Sequence, residues 1–177
     1  MKRLYLPLIL FIFVILEGVA IKLLPPNFVM SDLLIIPHWV FVFLLFMAIF
    51  YDNSQTYFSV LYGALFGMLI DIVYTGVLGV YMFSYAFVIY VVHGIVKMLH
   101  GNILVTIILG IVGISLTDFI IYLIFSVVGL TDMLIDDYML YRLLPTVIAN
   151  LLFLLVLYPF TKNRLLKWQD EQISVNR

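Results

Sequence analysis

Three carboxylates and one guanidinium are the residues of this chain most able to do chemistry. Glu17, Asp71, Asp118 and Arg142 each stand within or at the edge of a long apolar run. An ionisable group in such surroundings is expensive and as a rule faces the interior of a helix bundle. There it pairs, takes up a proton or meets a polar ligand. At about 1.5 Å per helical residue, Glu17 lies roughly 20 Å, Asp71 roughly 21 Å and Asp118 roughly 22 Å from the start of its run. Arg142 opens the last run from that same far side, so the four share a depth. The forked donors of one arginine can hold one or two carboxylates. The sequence therefore predicts that Arg142 pairs with Asp71 or Asp118 and pins the last helix to the bundle. Two other readings stand beside this one. The groups could be separate span-end residues reaching for water, Asp71 above all, or they could line a pocket for a polar small molecule.

Other chemistries find little support. His38, His93 and His100 are scattered without metal-ligand spacing, and the chain has no cysteine, which removes thiolate sites and disulfides together. Nucleophile elbows, zinc-protease motifs and phosphate-binding glycine loops are absent. Asp136-Asp137 looks like a carboxylate pair but reads as a solvated acidic loop. A net charge of −1 and the lack of a basic stripe exclude nucleic acid as a partner. No metal, no cofactor and no enzymatic activity are expected. His93, one turn from Lys97, is expected to be a packed polar side chain bonded to a neighbouring helix. Gly63 and Gly67 form a small-xxx-small pair, and Gly110 and Gly113 line one side of a later run. Close helix packing is their default use, and a dimer or partner-helix face is the alternative for Gly63 and Gly67.

The elements that must position these groups are helices in lipid. Of 177 residues, 66% are hydrophobic and 11% charged, with a mean hydropathy of +1.22, far from a soluble domain. Six runs approach the roughly 20 apolar residues that cross a bilayer: 4–24, 33–51, 57–74, 78–98, 103–128 and 140–160. Pro25-Pro26-Asn27 stops the first, and Pro37 falls in the first turn of the second, where proline is tolerated. The links are short, except for 129–141, which carries Asp132, Asp136 and Asp137 and could hold a short interfacial helix. The runs are apolar on every face, which speaks against a barrel. The expected fold is a single all-α domain over 1–177, an integral membrane protein of six transmembrane helices.

Lysine and arginine orient it. With both ends in the cytoplasm, Lys2, Arg3, Lys97, Lys162, Arg164, Lys167 and Arg177 are inside, and only Lys22 and Arg142 are outside. The basic segment 161–177 becomes a cytoplasmic tail that could meet a protein partner or anionic lipid. The first run has a rival reading as a cleaved signal peptide, with Gly18-Val19-Ala20 as its small-x-small site. Glu17 beside that site and the five runs behind it favour a retained helix.

Phe66-Gly67-Met68-Leu69-Ile70-Asp71-Ile72-Val73-Tyr74-Thr75-Gly76-Val77-Leu78-Gly79-Val80-Tyr81-Met82-Phe83 resembles the core signature of the MreD family of rod shape-determining proteins. Arg142-Leu143-Leu144-Pro145-Thr146-Val147-Ile148-Ala149-Asn150 resembles the start of that family's last span. The Met-Lys-Arg start, Pro37 and the basic tail fit as well, and Bacillus-like members look most similar. The resemblance marks Asp71, Tyr74, Gly79, Arg142, Pro145 and Asn150 as structural or interaction candidates. It implies a scaffold in the bacterial cytoplasmic membrane that works with MreC, the actin-like MreB, the RodA glycan polymerase and a penicillin-binding transpeptidase in lateral peptidoglycan synthesis. It also implies a fold like the substrate-binding subunit of energy-coupling-factor vitamin transporters. A vitamin-binding subunit of that class is the alternative function, but the Ala-x-x-x-Ala docking face common there is missing, since Ala20 is the one alanine of the first run.

Overall fold

The computed structural model describes residues 5–23, 33–53, 55–99 and 101–175. Lys2, Arg3, Arg177, His100 and the Pro25-Pro26-Asn27 break lie outside them, and Lys22 is described in its backbone alone. The described residues form six helices and no strand. They are α1 (Tyr5–Leu23), α2 (Trp39–Phe50), α3 (Phe58–Ile70), α4 (Val80–Val96), α5 (Ile103–Val127) and α6 (Leu144–Val175). A π-helical turn, Asp71–Thr75, extends α3. One helical turn at Ile135–Asp137 and a π turn at Tyr138–Leu143 lead into α6. Phe58–Thr75, Ile103–Val127 and the stretch from Ile135 to Glu171 are long and apolar enough to cross a membrane, and α1, α2 and α4 are shorter apolar helices.

The helix α2 is the hub. Its run Val40–Phe50 is buried at every position, as a helix apolar on all sides must be. It packs against α1, α3, α4, α5 and α6. Around it, α1 meets α3, α3 meets α4, α4 meets α5, and α5 meets α6. The outward faces carry large apolar groups such as Leu104, Leu152 and Phe160, more than a water-facing surface tolerates.

Two expected boundaries need correction. The second run does not become helical at residue 33. Residues 33–38 are non-helical and α2 begins at Trp39, so Pro37 precedes the helix and is not in its first turn. Proline restrains the residue before it to extended backbone, and α6 takes up the backbone groups that this segment leaves open, as described below. The second correction concerns the tail. The helix α6 continues through Pro159 to Val175 and docks on the bundle: Leu165 is buried, Trp168 stacks on Tyr5 at 6.1 Å, and Gln169 Nε2 donates to the Asp52 carbonyl at 3.0 Å.

The glycine pair also has an internal use. A Cβ on Gly67 would stand 2.6 Å from the Tyr81 carbonyl oxygen and 2.7 Å from Met82 Cα, and Gly63 faces the backbone of Tyr85 and Ala86. These glycines set the approach of α4 to α3, so the face considered for a dimer or a partner helix is already covered. Gly110 meets Leu151 and Leu154 of α6, and Gly113 meets Phe41 and Leu45 of α2. Because the atoms facing Gly67 are backbone, Gly67→Ala must part the two helices. It is expected to cost about 1–3 kcal/mol, measurable as a lower thermal midpoint of the detergent-purified protein.

Candidate functional site

The first four N–H groups of a helix have no partner within it, and in apolar surroundings water cannot replace one. Three helices here start at residues with no side-chain cap of their own: His38 before α2, Tyr57 before α3 and Gly79 before α4. In each case a carboxylate from another part of the chain supplies the acceptor. Glu17 of α1, 3% exposed, accepts from the Val40 N–H at 2.8 Å. Asp71, fully buried, accepts from Gly79 N and Tyr81 N at 2.9 Å and from Met82 N at 3.2 Å. Asp52, in the α2–α3 link, accepts from Phe58 N at 3.1 Å and Ser59 N at 2.8 Å, and from the Ser59 hydroxyl at 2.5 Å. Burial pushes the Asp52 carboxyl above its ordinary pKa, and the Ser59 hydroxyl and N–H pull against that shift. A negative charge at a helix N-terminus is also stabilised by the macrodipole. The helix α5 caps itself, with Asn102 Oδ1 accepting from Val105 N at 2.8 Å.

The turn that lets Asp71 reach α4 depends on two glycines with positive φ, Gly76 at 69° and Gly79 at 99°, a region that other residues rarely enter. The π turn also carries Tyr74, whose hydroxyl donates to the Val14 carbonyl of α1 at 2.7 Å. Gly18 leaves room for that ring, since a Cβ there would collide with it. Thus α1 is bound into the bundle by Glu17 on α2 and by Tyr74 from α3.

Arg142 pairs with Asp118 and not with Asp71. Its Nη2 lies 3.0 Å and its Nε 3.3 Å from Asp118 Oδ1. Asp118, fully buried, also accepts from the Tyr138 hydroxyl on Oδ2 at 3.0 Å, and His38 Nε2 lies 3.4 Å from Oδ1. His38 Nδ1 is 3.0 Å from the Tyr85 hydroxyl, and Tyr138 stacks on Tyr122 at 3.9 Å. The start of α2, helix α5 and the entry to α6 therefore meet on one carboxylate, and α4 joins them through the Tyr85–His38 contact. The shared depth of the four charged groups does not make one cluster of them. Glu17 and Asp71 are engaged by helix N-termini, and Asp118 alone takes the arginine.

Below Arg142, α6 presents Thr146 and Asn150 one and two turns on, on the same face. Both are fully buried, and both serve the non-helical segment 33–38. Ile36 N donates to Thr146 Oγ1 at 3.1 Å and His38 N to Asn150 Oδ1 at 2.7 Å. Asn150 Nδ2 donates in turn to the Ile36 carbonyl at 2.8 Å. Leu34 N donates to the Tyr141 carbonyl at 2.7 Å. That carbonyl would ordinarily accept from the N–H four residues on, but residue 145 is proline and has none. Pro145 thus leaves an acceptor for the chain packed beside it. Donors alternate at 34, 36 and 38, and Pro37 falls where none is needed.

The sequence reasoning missed His38 as a partner of Asp118, the tyrosines 85, 122 and 138, and the supporting role of Thr146. The signal for Thr146 was its spacing between Arg142 and Asn150. His93 departs from expectation. It is buried, yet neither ring nitrogen makes a hydrogen bond of normal geometry, although the Ala48 carbonyl and Asp52 lie close enough to act on it. Its main contact is the Tyr57 ring at 4.8 Å. Asp132, Asp136 and Asp137 are exposed, and no cluster among the described residues could hold a metal ion.

The Glu17 contact separates capping from charge. Glu17→Gln keeps an acceptor for Val40 N and is expected to leave the thermal midpoint nearly unchanged. Glu17→Leu orphans buried N–H groups and should cost about 1–3 kcal/mol. Equal losses in the two variants would contradict the capping role.

The family description that matches the chain is "rod shape-determining protein MreD", over residues 1–167. The chain is 31% identical over 157 residues to "Rod shape-determining protein MreD" of Bacillus subtilis (strain 168), covering 89% of this chain and 90% of that protein. No solved structure matches it significantly. The segments that carried the sequence resemblance are those that build the Asp71 cap and the α6 ladder, and the chain belongs to the MreD family of rod shape-determining proteins.

Proposed function

We propose that this protein is a non-enzymatic scaffold of the bacterial cell-elongation machinery, a single domain whose six helices all cross the cytoplasmic membrane with both ends inside. The observation that carries this reading is the use made of its buried polar groups. Glu17, Asp71, Asp118, Arg142 and Asn150 are engaged by the chain's own backbone and side chains, so the site is a brace that holds the bundle in one shape. With short links, the surfaces offered to neighbours are the outward helix faces, the exposed acidic turn around Asp132–Asp137 and the basic end of α6. The partners proposed are MreC, by direct contact, and through it MreB, RodA and the penicillin-binding transpeptidase. Because Gly63 and Gly67 are covered by α4, a membrane helix of MreC would have to use another face. The positive-inside bias supports the orientation, and the apolar outward faces support lipid as the solvent.

The test combines depletion with recovery. Depleting the protein in its native rod-shaped cell is expected to give rounded, swollen cells, and affinity-tagged protein should co-purify with MreC. Cells that keep their rod shape but require a vitamin, together with tight vitamin retention by the purified protein, would replace this reading with the transporter one.

A further inference from the structure

The ring of helices around α2 is open at one place. While α1–α3, α3–α4, α4–α5 and α5–α6 are packed pairs, α6 and α1 are bridged by aromatic side chains, Trp168 on Tyr5 and Phe153 edge-on to Phe13 at 5.7 Å. Between these bridges lies a cavity of about 210 Å³. Phe13 forms one wall, Phe43 of α2 the floor, and Leu157 and Phe160 the other wall, and it closes on Arg164 and Trp168. Thr161 also lines it, but its hydroxyl is committed to the Leu157 carbonyl, so the walls offer apolar surface and one cation. Arg164 is exposed and has no ion-pair partner among the described residues.

We propose that this cleft is a binding site for one anionic phospholipid of the cytoplasmic leaflet, with an acyl chain lying along Phe43 and the phosphate on Arg164. This rests on the orientation given above, which puts the Arg164 end of α6 on the cytoplasmic side. Three features select this occupant. At about 210 Å³ the cleft is far too small for a partner helix, which is about 10–12 Å across with its side chains, but it can take part of a single flexible chain. Its apolar part lies within one leaflet: from Arg164 back to Leu157 the α6 wall runs roughly 10 Å at about 1.5 Å per residue, less than half of a hydrocarbon core of roughly 30 Å. Its one charge is a guanidinium, the group best suited to phosphate oxygens, and it stands where the anionic headgroups of the inner leaflet lie. Such a lipid would fill the gap between α6 and α1 and join the two ends of the chain.

Native mass spectrometry of the detergent-purified full-length protein tests this with dioleoyl phosphatidylglycerol and dioleoyl phosphatidylcholine as probes. One phosphatidylglycerol per chain is expected to bind about tenfold more tightly than phosphatidylcholine, the ratio that about 1.4 kcal/mol gives. Arg164→Gln, at an exposed position, should erase that preference without moving the thermal midpoint. Ile9→Trp, which fills the cleft from α1, should displace both lipids. Equal binding of the two probes by the native chain, or an unchanged preference in Arg164→Gln, would overturn the proposal. A photo-reactive residue at Phe43, the buried floor of the cleft, should label phospholipid in cells, and an adduct with a protein in its place would assign the cleft to a partner. None of these readouts depends on cell shape, so failure here leaves the scaffold reading standing.

Discussion

Asp118→Leu is expected to destabilise the purified protein by about 3–5 kcal/mol, because it strips a buried carboxylate from a guanidinium that stays buried beside it. Arg142 is 12% exposed and Asp118 fully buried, so solvent does little to screen either the pair or its loss. Arg142→Met should be comparably harmful, since Asp118 then keeps only the Tyr138 hydroxyl and His38 as partners. The diagnostic result is the double variant. Asp118→Leu with Arg142→Met removes both charges, and it is expected to recover most of the loss relative to either single change. A residual deficit of about 1–2 kcal/mol should remain, because Tyr138 and His38 lose their acceptor. Thermal or denaturant unfolding in a mild detergent reads all three. Strictly additive losses would contradict the pairing.

Asp71→Ala is the second large effect. It would orphan the N–H groups of Gly79, Tyr81 and Met82 at once, each against one carboxylate in the wild type. A buried donor left without a partner costs about 1–3 kcal/mol, so a loss of 3 kcal/mol or more is expected. Asp71→Asn keeps one acceptor oxygen and should lose roughly half as much. The damage should be local to the α3–α4 junction, so amide exchange in Val80–Tyr85 is expected to rise sharply while the core of α5 stays protected. Uniform exchange throughout the bundle would mean that Asp71 supports the whole fold and is not a cap for α4.

How far the sequence foretold this arrangement varies with the kind of signal. Apolar runs bounded by Asn102 or by glycines gave helix positions close to those observed, because burial and helix-breaking chemistry are local. The start of α2 was misplaced by several residues because Leu33–Ile36 are as apolar as the helix that follows. Only the hydrogen bonds from Thr146, Asn150 and Tyr141, more than a hundred residues away, let that segment stay extended. Depth along the runs correctly put Glu17, Asp71 and Asp118 inside, but a depth has no direction around a helix axis, and it could not say which of them faced Arg142. A cue was present all the same. His38, Tyr57 and Gly79 lack the short side-chain oxygen that caps a helix start, and a helix that begins in apolar surroundings without one must borrow an acceptor from elsewhere. Matching uncapped starts to lone intramembrane carboxylates would have linked Asp71 to the helix at Gly79. Neither the extent of α6 nor the cleft beside it was legible, since Leu165 and Trp168 read as parts of a charged tail until the helix was seen to continue through Pro159.

The central claim is that the buried polar residues are internal braces and do not touch a ligand or a partner. The direct measurement is cell width plotted against the level of folded protein, for Glu17→Gln, Asp71→Asn, Arg142→Lys, Asn150→Asp and the Asp118→Leu/Arg142→Met pair, each as the sole copy in a rod-shaped host. The account predicts one curve on which every variant falls, with rod shape returning whenever folded protein reaches the wild-type level. A variant as abundant and as stable as wild type that still leaves cells round would place that residue in contact with something outside the chain, and would contradict the account.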